Sequence, residues 1–212
     1  DAVSSYVDRL DTRRGAVFSS NYEYPGHYTR WDTATIDPPL GIVSKGRSVS
    51  IEAYNDRGKI LMQAIGNVLK GHDHISDIVE SDEKISLQVV QPDGVVSEEM
   101  RSRSPTVFSV LRCIVDLFRS DADPNFALYG AIGYDLCFQF DPIELKQHRP
   151  DDQHDMVMYL PDEILVVDHH AAEAWHERYE FTIDEQTTRG MERTGSEQPF
   201  VPADHDPGRG DH

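Results

Sequence analysis

The chain has 212 residues, of which 38% are hydrophobic, and its 38 acidic against 20 basic side chains give a formal net charge of −18. That length and apolar fraction allow a packed core, no run nears the roughly 20 apolar residues that cross a bilayer, and the negative charge repels phosphate backbones. Membrane spans and nucleic acid are thereby excluded, and because the start, DAVSSYVDRLDTRRG, has no apolar export segment, a cytoplasmic protein is expected.

The first residue is Asp and the last ones are polar, so the chain reads as a piece of a longer polypeptide. Near its start an apolar run, Gly15-Ala16-Val17-Phe18, ends in Ser19-Ser20-Asn21 and passes into an aromatic, turn-rich stretch. Hydroxyls, an amide and backbone groups at a strand end supply donors for a carboxylate and acceptors for an ammonium, which is what a free amino acid requires. The same residues also serve as an ordinary Ser/Asn turn that caps its own backbone. Tyr22, Tyr24, Tyr28 and Trp31 follow, and cross-strand aromatic packing is the simpler reading of them than a ligand box.

From Tyr28 to Ile65, short β-rich runs alternate with turn signals: HYTRWDTATI, Asp37-Pro38-Pro39, GIVSKGRSVSIEAY, Asn55-Asp56-Arg57-Gly58 and KILMQAI. A β-meander is predicted there. KISLQVVQ at 84 to 91 adds a strand closed by Pro92-Asp93-Gly94. Over 104 to 119 the period changes: Val107, Val110, Leu111, Ile114, Val115 and Phe118 recur at three and four after a Ser-Pro, which predicts a helix with one buried face. FALYGAIGYDLCFQF at 126 to 140 is an apolar, glycine-punctuated run that predicts a central strand, with Gly130 and Gly133 where bulk is excluded.

MVMYL and EILVVDHH predict two strands around Pro161-Asp162, and WHERYEFTI a final edge strand. Together these elements predict an α+β fold, mainly antiparallel sheet with packed helices, over residues 1–183. From Asp184 the composition shifts to Gly, Pro, Thr, Glu and Asp, so 184–212 is expected to be a disordered linker. Cys113 falls in the helical pattern and Cys137 in the strand-like one, both read as small buried apolar groups. A disulfide between them stays open, and no CxxC spacing points to zinc.

Several other groupings invite chemistry. Asp168-His169-His170 are metal-ligand types, yet neighbours on a strand point to opposite faces, so only two could share an ion. His72-Asp73-His74 sits in a polar loop; for both runs a structural role is the expected one. Gly130-Ala131-Ile132-Gly133 lacks the strand, tight turn and helix of a phosphate loop, because the apolar β pattern continues past it. No G-x-S-x-G occurs, and neither cysteine carries a nucleophile signature.

Residues 14 to 42, with YGAIGYDLCFQFDPIEL at 129 to 145 and DMVMYLPDEILVVDHHAAEAWHERYEF at 155 to 181, resemble the amino-terminal part of anthranilate synthase component I. The likeness is greatest to the long bacterial form fused to a glutamine amidotransferase. The resemblance implies the corresponding part of the chorismate-utilising fold and a share in making anthranilate and pyruvate from chorismate and glutamine. In that family an apolar-apolar-Glu-Ser segment binds the feedback inhibitor tryptophan, and Val17-Phe18-Ser19-Ser20 stands in its place. Ser20 matches the family serine, whereas Ser19 replaces the Glu of many shorter relatives. The implied tryptophan-binding residues are therefore Ser20, Val17, Phe18, Ser19 and Asn21.

The same resemblance implies no catalytic residue and no metal ligand in this chain: Mg²⁺ and chorismate would be held in a catalytic half that follows. The implied partners are that half, a glutamine amidotransferase domain or subunit, and L-tryptophan as effector. The alternatives are an aminodeoxychorismate synthase-like enzyme and a stand-alone amino-acid-binding module without catalysis.

Overall fold

The computed structural model describes residues 2–20, 30–92, 104–121, 123–140, 143, 146, 149–150 and 152–198. Asn21, Tyr22, Tyr24 and Tyr28 thus lie outside the described residues. The elements in chain order are α1 (Ser4–Arg9), β1 (Gly15–Ser19), β2 (Trp31–Ile36), β3 (Leu40–Lys45), β4 (Ser48–Ala53), α2 (Asp56–Leu69), β5 (Ile75–Glu80) and β6 (Lys84–Val89). Next come α3 (Val107–Phe118), β7 (Tyr129–Ile132), a 3-10 helix (Tyr134–Gln139), β8 (Met156–Leu160), β9 (Glu163–Asp168), β10 (Glu173–Arg178), β11 (Thr182–Ile183) and β12 (Gln186–Thr187). The α+β, antiparallel reading holds: the strands form a six-stranded sheet in the order β5-β6-β4-β3-β8-β7, a four-stranded sheet β1-β2-β9-β10 and a small β11-β12 hairpin.

Helices α2 and α3 close the main core. Leu61, Ile65 and Leu69 of α2 and Val107, Val110 and Ile114 of α3 pack with Leu40, Ile42, Val49, Ile51, Ile85 and Leu87 from the strands. The four-stranded sheet has its own cluster, in which Val3, just before α1, and Tyr6 of α1 cover Ala34, Ile36, Leu165 and Val167. Each strand contributes alternate residues, as the pleat requires.

Helix α3 lies within the predicted span, and Thr106 with Ser109 closes it as a reciprocal capping box. The meander is corrected at its last member: KILMQAI is part of α2, not a strand. Asn55 there does what its turn chemistry permits, but at a helix start, accepting from Gly58 N–H at 3.0 Å as N-cap. Behind that cap, Leu61, Met62, Ile65 and Leu69 present one face at helical spacing.

The expected central strand at 126–140 is also corrected. Only Tyr129–Ile132 is strand, it is the outermost strand of the six, and the chain then turns into the 3-10 helix. Close approach is real there: a Cβ on Gly130 would stand 2.0 Å from the Val157 carbonyl oxygen. Cys113 lies in α3 as expected but is only half-buried, Cys137 is exposed on the 3-10 helix instead of buried in a strand, and both thiols are free.

The packing does not stop at Asp184. Residues 184–198 are described, Thr188 is fully buried, and the backbone N–H of Gln198 donates to the Thr12 carbonyl at 2.7 Å. Composition missed this because one buried cation from far upstream organises the segment. Arg57, fully buried at the start of α2, donates to the Thr188 carbonyl at 2.6 Å, the Tyr179 carbonyl at 2.9 Å and Glu180 at 3.1 Å, and pairs through Nε with Asp162. Residues 199–212 lie outside the described residues.

The two sheets are joined end to end by the chain. β2 pairs with β9 in one sheet, β3 pairs with β8 in the other, and the chain crosses between them at 37–39 and again at 161–162. Each crossing carries a buried aspartate gripped by an arginine: Asp37 takes Arg13 Nε at 2.9 Å, and Asp162 takes Arg57.

Candidate functional site

The predicted segment occupies β1, the outer strand of the four-stranded sheet, where Val17 lies opposite Ala34, Phe18 opposite Thr33 and Ser19 opposite Asp32. Alternation divides these residues between two faces. Val17 turns toward α1 and joins its apolar cluster. Phe18 takes the other face, stays 39% exposed, and brings its ring to 5.8 Å from that of Tyr129 on β7, linking the two sheets.

Ser19 is exposed and Ser20, just beyond the strand, is half-buried. The β1–β2 register ends at Ser19 and Asp32, so Ser20 finds other partners: its N–H donates to Asp32 Oδ1 at 3.2 Å and its hydroxyl donates to the Trp31 carbonyl at 3.1 Å. The structure thus gathers Ser19 and Ser20 at one strand end, sets Phe18 on the face toward β7 and commits Val17 to the core; Asn21 lies outside the described residues.

Around this strand end stand residues that the sequence reading did not place. Asp32 is only 3% exposed, and its second oxygen lies 2.7 Å from His169 Nε2. Asp168 accepts from Arg30 Nη2 at 2.9 Å and from the N–H groups of His170 and Ala171 at 2.9 and 3.2 Å. Those bonds, Arg30 foremost, hold its carboxyl below the usual carboxylate range. Asp168 and His169 therefore serve different partners, Arg30 and Asp32. Among the described residues no group of three or more His, Cys, Asp or Glu converges as metal ligands would.

Trp31, 43% exposed, sits edge-on to Trp175 at 6.2 Å and beneath the Arg30 guanidinium at 4.5 Å, the packing role expected of it. His72 and His74 are not simply solvated: their rings stand 5.1 Å apart, and His74 Nδ1 lies 2.9 Å from Ser109 Oγ at the start of α3. Burial pushes the His74 pKa down and the neighbouring His72 adds to it.

A signal for Asp32 does exist in the sequence. In the period-2 pattern it shares a face with Ala34 and Ile36, and an acid in such a row must find a partner inside the molecule. Its partner, His169, is 137 positions away, which is why the pair is invisible to local reading.

No family model matches the chain. Individual proteins do. The chain is 39% identical over 214 aligned residues to "Anthranilate synthase" of Azospirillum brasilense, an alignment covering 98% of this chain and 29% of that protein. It is 26% identical over 172 residues to "Anthranilate synthase component 1" of Haemophilus influenzae, covering 80% of this chain and 33% of that one. Against the protein of the same name from Vibrio cholerae it is 31% identical over 137 residues, covering 63% and 25%. The chain thus spans about a third or less of the length of these curated relatives.

Proposed function

Because this chain is a homologue of the anthranilate synthases, corresponding to the amino-terminal region of a longer relative, we propose that it is the regulatory and scaffold region of such an enzyme. The reaction assigned to the whole protein is chorismate plus glutamine to anthranilate, pyruvate and glutamate, a step of tryptophan biosynthesis. The partners assigned to it are a chorismate-binding catalytic half and a glutamine amidotransferase. The chemistry of bond making, and the Mg²⁺ that the family resemblance implies, are assigned to residues outside this chain.

The part assigned to the present residues is recognition of tryptophan as feedback inhibitor at the Ser20 segment. The observation that carries it is the placement of Ser20: a hydroxyl at the end of an outer strand, beside the exposed Ser19 and with Phe18 on the face toward the second sheet. A hydroxyl that donates to a carbonyl keeps two lone pairs for an ammonium, and can turn to donate to a carboxylate. Tryptophan bound there would favour an arrangement of the protein that holds chorismate poorly, and by reciprocity chorismate would weaken tryptophan binding by the same factor.

The experiment is made on the whole protein. Anthranilate fluorescence together with pyruvate release identifies the reaction and separates it from that of an aminodeoxychorismate synthase. Ser20→Phe then tests the site: a bulky ring replaces the hydroxyl, and the tryptophan concentration that halves the variant's own uninhibited rate is expected to rise by about tenfold or more. Unchanged sensitivity to tryptophan would refute the assignment of the effector site, and absence of anthranilate would refute the reaction.

A further inference from the structure

The carboxylate of Asp32 ties three separate pieces of chain together. Oδ1 accepts the Ser20 N–H at the end of β1, Oδ2 faces His169 Nε2 in the turn after β9, and the residue itself belongs to β2. A carboxylate this deeply buried is tolerable only when its oxygens are occupied, and here both are. Ser20 is correspondingly constrained at two of its polar groups, by Trp31 through the hydroxyl and by Asp32 through the backbone N–H.

We infer that Asp32, braced by His169, is a positioning residue for the effector site. It fixes the backbone of Ser20 and with it the place and direction of the hydroxyl that meets the amino-acid ligand. Preorganisation of this kind raises affinity because the bound geometry is already present before binding. The inference rests on the reading of the Ser20 segment as the tryptophan site.

The test uses the whole enzyme and reads the tryptophan concentration that halves each variant's own uninhibited rate. Asp32→Ala removes the brace and should raise that concentration about tenfold, as loss of a hydrogen bond to a charged acceptor predicts. Asp32→Asn retains an oxygen for the Ser20 N–H and a donor toward His169, and should stay within about threefold of the parent. Equal sensitivity of Asp32→Ala and the parent overturns the inference, and so does an Asp32→Asn variant as insensitive as Asp32→Ala. Ser20→Phe run alongside separates the two levels: sensitivity lost there but kept in Asp32→Ala rejects the role of Asp32 alone, whereas sensitivity kept in both rejects the effector site. If Asp32→Ala yields no active enzyme, His169→Ala carries the test, with a shift of about threefold expected and no shift overturning the inference.

Discussion

Arg57 and Asp162 stand 105 positions apart in the chain and meet with neither side chain reaching solvent. The guanidinium also serves the carbonyls of Tyr179 and Thr188, so its removal takes one donor from each of two backbone acceptors and leaves the buried Asp162 carboxylate with only the more distant Arg193, 3.8 Å away, as a cation. Arg57→Met should therefore cost about 3–5 kcal/mol. Chemical denaturation of the whole protein measures it, and the double change Arg57→Met with Asp162→Leu should recover much of the loss. A single-variant loss below about 1 kcal/mol would show that the pair contributes no more than a surface contact.

Gly130→Ala should lower stability by about 1–3 kcal/mol through overpacking. The added methyl would meet backbone, the Val157 carbonyl, which cannot swing aside as the end of a side chain can. Since β7 is the outermost strand and Tyr129 is its neighbour residue, the contact with Phe18 should loosen too. Faster amide hydrogen exchange at 129–132 in the variant is the expected signature; an unchanged midpoint and unchanged exchange would contradict the close approach.

The His74 side chain carries a pH dependence of definite sign. Burial first, and then His72 and Arg112, favour its neutral form in the folded state, with Asp73 pulling the other way. Unfolding therefore takes up a proton below the ordinary value of 6.5, and stability falls as pH drops through that value. His74→Gln removes this titration. Thermal midpoints recorded between about pH 7.5 and 5 should decline less steeply in the variant, and parallel curves would rule out His74 as the source.

Asn55→Ala removes the side chain that caps α2 and should cost about 1 kcal/mol. Asn55→Asp keeps the acceptor and should be close to neutral, which a denaturation midpoint distinguishes from a loss of packing.

The elements that could be read from sequence were those whose pattern is local. Val107 to Phe118 announces a helix by its own spacing, and β2, β3, β8 and β9 by theirs. The 55–58 segment misled because an Asn accepting from a backbone N–H three residues on is common to turns and helix starts; only the 61–69 spacing decides between them. The run at 126–140 looked central because its apolar residues were counted without knowing that the sheet order places it outermost. At the candidate site, Ser19 and Ser20 were legible as residue types at a strand end. The Asp32–His169 brace was not, because register across β2 and β9 creates it.

The two crossings between the sheets amount to a single bent ribbon. β2 with β3 forms one long leg, β9 with β8 the other, and both legs fold at the same level, each pinned by an arginine on an aspartate. Such a ribbon transmits torsion, because one sheet can twist against the other only if both bends flex in step. Sliding would break hydrogen-bonded pairs on both sides of the corner. Ser20 stands beside the far end of β2, on the leg that runs through the bend at 37–39 into the six-stranded sheet.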